Sequence, residues 1–117
     1  MALTFNLSRP IALDKRSVEL NVANKPGVYV LGEPHPNGGV YVRYVGRSDD
    51  SLADRLRSHE LIRTYPTFVF AYAIDANRAY CMECEMFHEW PQSLKNQIHP
   101  ARPQGSRIRC PKPGCTV

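Results

Sequence analysis

No stretch of this 117-residue chain approaches the roughly 18 consecutive apolar residues that carry a helix across a bilayer. A helical membrane span is therefore excluded. The N-terminal run MALTFNLSRPIALDKR lacks the basic start and long apolar stretch of a secretory leader, so an intracellular, cytoplasmic protein with no membrane partner is expected. Cysteine is scarce: Cys81, Cys84, Cys110 and Cys115 are too few, and too crowded toward the C-terminus, to form the disulfide framework of a small secreted fold. Reduced thiols or a metal site fit them better. Internal repeats and low-complexity tracts are absent. With 43% hydrophobic residues, a chain of this length suits one compact core.

Acidic residues are missing from one region in particular. From Trp90 to Val117 there are five basic residues, Lys95, Arg102, Arg107, Arg109 and Lys112, and no acidic one. Residues 1–89 hold ten basic and eleven acidic residues, so the formal charge of +4 resolves into a near-neutral body and a tail of +5. Clustered Lys and Arg displace counterions from phosphates, which points to a polyanionic partner; a solvated, disordered tail is the plainer reading. Five of the ten prolines also fall from Pro91 onward, so this tail is expected to be irregular.

The rest of the chain alternates strand and helix signals. Lys25-Pro26-Gly27 is a turn leading into a strand at Val28–Leu31, and a Gly/Pro-rich connection, EPHPNGG, leads to a second strand at Val40–Val45. Ser51, with Asp54 three residues on, resembles a capping box opening a helix over 52–62. On that helix Arg55 and His59 would share an edge. Thr67–Ile74 reads as a third strand, and Asp75 or Asn77 would cap a second helix running to Trp90.

On the second helix Ala79, Met82, Met86, Phe87 and Trp90 form an apolar stripe, and Glu83 falls near its centre. A carboxylate facing a core costs several kcal/mol or more unless it meets a cation, a metal or hydrogen-bond donors. Glu83 is thus either half of a buried ion pair, with an arginine such as Arg55, or a functional acid.

In order, the chain presents Gly27-Val28-Tyr29, Tyr44-Val45-Gly46-Arg47-Ser48, Arg55 and His59, then Ala79 and Glu83, then Asn96. This order resembles the GIY-YIG nuclease family across about residues 26–96. The resemblance implies an α+β fold, a three-stranded antiparallel sheet flanked by helices. The catalytic domain would span 25–97, with an N-terminal arm (1–24) packed on it and a basic, Pro- and Cys-containing tail (98–117). It also implies a metal-dependent endonuclease that hydrolyses DNA phosphodiester bonds with one divalent ion, Mg²⁺ or Mn²⁺. By the same resemblance Glu83 is the metal ligand, Arg55 meets the scissile phosphate, Tyr29 orients or deprotonates the attacking water, and Tyr44 supports it. His59 joins the catalytic set as a proton acceptor or phosphate contact, or else merely caps local structure. Arg47 and Asn96, with Arg102, Arg107, Arg109 and Lys112 of the tail, would bind nucleic acid. The tail's charge is expected to lie outside the catalytic face.

These residue types suit the reaction. Phosphodiester hydrolysis needs an in-line nucleophile, neutralisation of charge on the non-bridging oxygens and stabilisation of the leaving 3′ oxygen. Mg²⁺ dehydrates reluctantly and is commonly held by one or two carboxylates and several waters. DNA is the expected partner, with RNA an alternative, and a domain this small would draw specificity from DNA shape, a homodimer or a partner protein.

The cysteines offer a further reading. Cys81, Cys84 and His88 project from the side of the helix opposite Glu83, and Cys110 and Cys115 flank a Pro/Gly-rich turn in the tail. A structural zinc held by Cys81, Cys84, Cys110 and Cys115 is one expectation. Half-buried free thiols beside a loose tail are the other. A noncatalytic nucleic-acid-binding module and a zinc-pinned interaction scaffold are the alternatives to an enzyme.

Overall fold

A computed structural model describes residues 3–59, 61–90 and 99–115. The strands are β1 (Ile11–Ala12), β2 (Gly27–Pro34), β3 (Val40–Ser48) and β4 (Thr67–Tyr72), and the helices α1 (Lys15–Asn21), α2 (Leu52–Arg57) and α3 (Ala76–Glu89); α1, capped by Asp14, lies in the N-terminal arm, where no helix was expected. All strand pairs are antiparallel, in the order β1-β4-β2-β3. The α+β class agrees with expectation, but the sheet has four strands and not three. The extra one is a two-residue strand in the N-terminal arm, where Ile11 and Ala12 pair with Phe68 and Thr67. So short a strand leaves no periodicity to read.

Alternation along β2 sorts the core into two layers. Tyr29 and Leu31 face α1 and α2, packing with Val18, Leu52, Leu56 and Phe68. Val28 and Val30 face α3, packing with Val45, Val69, Met82 and Met86. The Pro/Gly-rich connection closes β2 onto β3, with His35 and Gly39 paired through backbone, and a bulge after Leu31 adjusts the register. Tyr29 then lies opposite Gly46, and Leu31 opposite Tyr44.

Two helix expectations need correction. Helix α2 ends at Arg57, well before Ile62: His59 N–H donates to the Leu56 carbonyl at 3.3 Å instead of that of Arg55, the Ser58 hydroxyl donates to the Asp54 carbonyl at 2.8 Å, and turns take over. The Ser51 cap forms as half a capping box: its hydroxyl accepts from Asp54 N–H, while the Asp54 carboxylate pairs with Arg57 instead of reaching back. Helix α3 starts as expected, with Asp75 accepting from Arg78 N–H at 2.8 Å.

The tail is irregular but not loose. From His99, beside Phe87 and His88 at the end of α3, it runs back to the start of that helix, where Ser106 donates to Asn77 at 2.8 Å. It turns at Gly105, whose φ of +78° suits glycine, and returns to bury Cys110 against Tyr80 and Cys84. Among the described residues, no helix is long and apolar enough to cross a membrane.

Candidate functional site

β3 is an edge strand, and the site wraps around its end. Tyr29, Tyr44, Gly46, Arg47, Asp49, Arg55, Glu83 and Ala101 line a cleft of about 220 Å³. Tyr29 and Tyr44 come from the α1/α2 side of the sheet, with Arg55 on α2. Arg47, opposite Val28 in the register, faces α3 and Glu83. The two sides meet at Gly46, where a Cβ would overlap the Tyr29 hydroxyl and ring. A side chain at 46 would therefore displace the phenol from the edge of the sheet.

Glu83 is 8% exposed and accepts a 2.8 Å hydrogen bond from Nη1 of Arg47. Nε of the same guanidinium donates to Asp49 at 2.7 Å, and the group also lies over the Tyr80 ring at 5.3 Å. Burial raises the Glu83 pKa, with Arg47 opposing. Arg47 is itself driven up: burial works against its charge, but the carboxylates of Asp49 and Glu83 outweigh it. The ion-pair reading of Glu83 thus holds in part, with Arg47 and not Arg55 as the partner, and on the wall of an open cleft. Arg55 is exposed at the rim.

Tyr29 is fully buried at the cleft floor, and its hydroxyl has no hydrogen-bond partner among the described residues. Burial pushes its pKa upward; the Arg55 charge opposes this without a geometrically complete hydrogen bond, while Tyr44 and Glu83 add to it. The phenol is accordingly neutral here at physiological pH. Arg55 favours the phenolate, but its charge alone does not offset the burial.

His59 does not line the cleft. Helix α2 has already ended, so its expected i, i+4 relation to Arg55 on one helix is lost. The ring is 2% exposed and lies edge-to-face against both tyrosines, 5.4 Å from Tyr29 and 5.2 Å from Tyr44 between centroids. Tyr29 and Tyr44 are themselves stacked at 6.5 Å. His59 Nδ1 accepts from Leu61 N–H at 3.1 Å, and burial, helped by Arg55, lowers its pKa to about 4. It is a neutral wedge behind the two phenols.

The four-residue set Tyr29, Tyr44, Arg55 and Glu83 converges, as the residue order suggested. Asn96 lies outside the described residues. Arg102, Arg107, Arg109 and Lys112 are all exposed. Ala101 reaches the cleft, so the basic tail begins at its rim and is not remote from it. Asp49 was missed; its only sequence signal is its position two residues after Arg47.

The proposed four-cysteine zinc set does not assemble. His88, His99, Cys110 and Cys115 have their ligand atoms within 4.8 Å of one another, a cluster that could hold a metal. Cys84 is buried with Tyr80 and Cys110, and Cys81 packs beside it, both outside that group. The returning tail places its two cysteines nearer the last turn of α3 than the sequence spacing indicated. Comparison with family models, curated proteins and solved structures finds no match to the chain.

Proposed function

We infer that the cleft hydrolyses phosphodiester bonds in DNA, as the resemblance to GIY-YIG nucleases implies. The observation that carries this reading is the convergence of Tyr29, Tyr44, Arg55 and Glu83, drawn from four separate elements, on one polar cleft. Nothing in core packing requires two tyrosines, two arginines and a buried carboxylate at the edge of a sheet.

The donor set fits a single Mg²⁺ or Mn²⁺ ion. Glu83 is one carboxylate on the wall of a cleft with room for waters, as such ions require. Bound there, a divalent ion would supply charge neutralisation at the phosphate and the leaving 3′ oxygen. Arg47 and Arg55 balance Asp49 and Glu83, so the lining has no net formal charge of its own. Arg55, exposed and permanently charged, can take a non-bridging oxygen of the phosphate. Tyr29, lining the same cleft, would orient the attacking water or help deprotonate it. Tyr44 and His59 hold the Tyr29 ring in place.

A noncatalytic DNA-binding module is favoured by a different observation: Arg47 already satisfies Glu83 at 2.8 Å. Incubating the protein with supercoiled, linear, branched and single-stranded DNA, and with RNA, separates the two. Cleavage that requires Mg²⁺ or Mn²⁺ and is lost in Glu83→Ala supports the enzyme, whereas binding without cleavage under either ion supports the module.

A further inference from the structure

We propose that His88, His99, Cys110 and Cys115 form a structural zinc site that fastens the C-terminal tail to the last turn of α3. This site is independent of the cleft and of any reaction there.

The ligand-atom distances suit a closed tetrahedral centre. With Zn–S bonds of about 2.3 Å and Zn–N bonds of about 2.0 to 2.1 Å, neighbouring ligand atoms of a tetrahedral centre stand about 3.3 to 3.8 Å apart. Cys110 Sγ lies 3.3 Å from His88 Nε2, and Cys115 Sγ lies 3.5 Å from His99 Nε2. The two imidazole rings are 5.2 Å apart between centroids. Two thiolates with two imidazoles are a structural zinc set, and their softness disfavours Mg²⁺ or Ca²⁺.

Surrounding contacts prepare the ligands. His99 Nδ1 lies 2.9 Å from the Pro100 carbonyl, which can only accept, so Nδ1 carries the proton and the Nε2 lone pair faces Cys115. Between the cysteines, Gly114 has a φ of +84° and Cys115 N–H donates to the Lys112 carbonyl at 3.1 Å. That turn brings the second sulfur back toward the first. Two thiolates would cancel the charge of the ion.

The site would also lock the ends of a segment that has no regular structure of its own. Residues 99–115 contain no helix or strand, and bury Pro100, Pro103 and Cys110, with Ile108 and Cys115 packed beside Tyr80 and Cys84. A metal crosslink at their two ends would fix the whole excursion, Ala101 at the cleft rim included.

Metal content of the purified full chain, measured under reducing conditions by plasma emission, tests this. The expected result is about one zinc per chain, retained in Cys81→Ser and lost in Cys110→Ser/Cys115→Ser. Should the double variant fail to fold, Co²⁺ added to metal-stripped wild-type protein gives a second readout. Tetrahedral d–d bands with thiolate charge-transfer absorption are expected. Substoichiometric zinc together with no cobalt bands would overturn the proposal, as would equal zinc loss in Cys81→Ser.

Discussion

Stability should depend on pH through His59. The ring is buried and neutral in the fold, with a pKa near 4, whereas in the unfolded chain it returns to about 6.5. Between these values the unfolded chain binds the extra proton. The His59 contribution is therefore fully present above about pH 6.5 and is lost as pH falls toward about 4. At about 1.4 kcal/mol per pH unit the difference is at most about 3.5 kcal/mol, and screening by water in the overlying cleft reduces the expected loss to about 1 to 2 kcal/mol. Glu83 acts in the opposite sense. Its raised pKa makes the folded state hold a proton that the unfolded chain has released, so its contribution grows as pH falls.

The two effects separate by substitution. In His59→Asn the amide oxygen can replace Nδ1 as acceptor for Leu61 N–H, but nothing titrates. Urea denaturation of both proteins from about pH 7 to about pH 4 should show the wild type converging on the variant by about 1 to 2 kcal/mol. A fixed loss from the missing ring would offset the curves without changing that convergence. Parallel curves would show that His59 charges as readily in the fold as out of it, and would refute its placement behind Tyr29 and Tyr44.

Gly46→Ala should destabilise the protein by about 1 to 3 kcal/mol, since the added methyl overlaps a fully buried tyrosine. Part of that cost should vanish in a Tyr29→Phe background; urea titrations giving a loss under about 0.5 kcal/mol would contradict the close approach. In the tail, replacing Arg102, Arg107, Arg109 and Lys112 with glutamine should lower the salt dependence of duplex DNA binding by up to about three to four units of the log–log slope. Fluorescence anisotropy across a salt series, in a Glu83→Ala background so that DNA stays intact, measures it. An unchanged slope would remove the tail from the interface.

Much of this architecture was legible because local signals and tertiary demands agree. Val28–Leu31, Val40–Val45 and Thr67–Tyr72 are β-branched and aromatic runs bounded by turn residues, and Asp75 caps α3 by a local bond. Glu83 stood out because a carboxylate on an apolar stripe violates the pattern that packing enforces. What stayed hidden depends on contacts distant in sequence. The pairing of Ile11 with Phe68 cannot be read from two residues. Arg47 as the partner of Glu83 follows from the β2–β3 register, set by a bulge after Leu31. His59 lies past the end of α2, where its N–H turns to the Leu56 carbonyl and the ladder stops. The His88 and His99 pairing with the tail cysteines arises from a turn at Gly105 that returns the chain to α3.

The most direct test of the cleft's proposed role is strand nicking of supercoiled DNA by wild-type protein and Glu83→Ala, each with Mg²⁺, with Mn²⁺ and without divalent ions. The account predicts nicking by the wild type only with a divalent ion, and a loss of at least about a hundredfold in Glu83→Ala, the scale on which removing a key electrostatic group is felt. Undiminished nicking by Glu83→Ala, or none by the wild type with either ion on any DNA form, would contradict it.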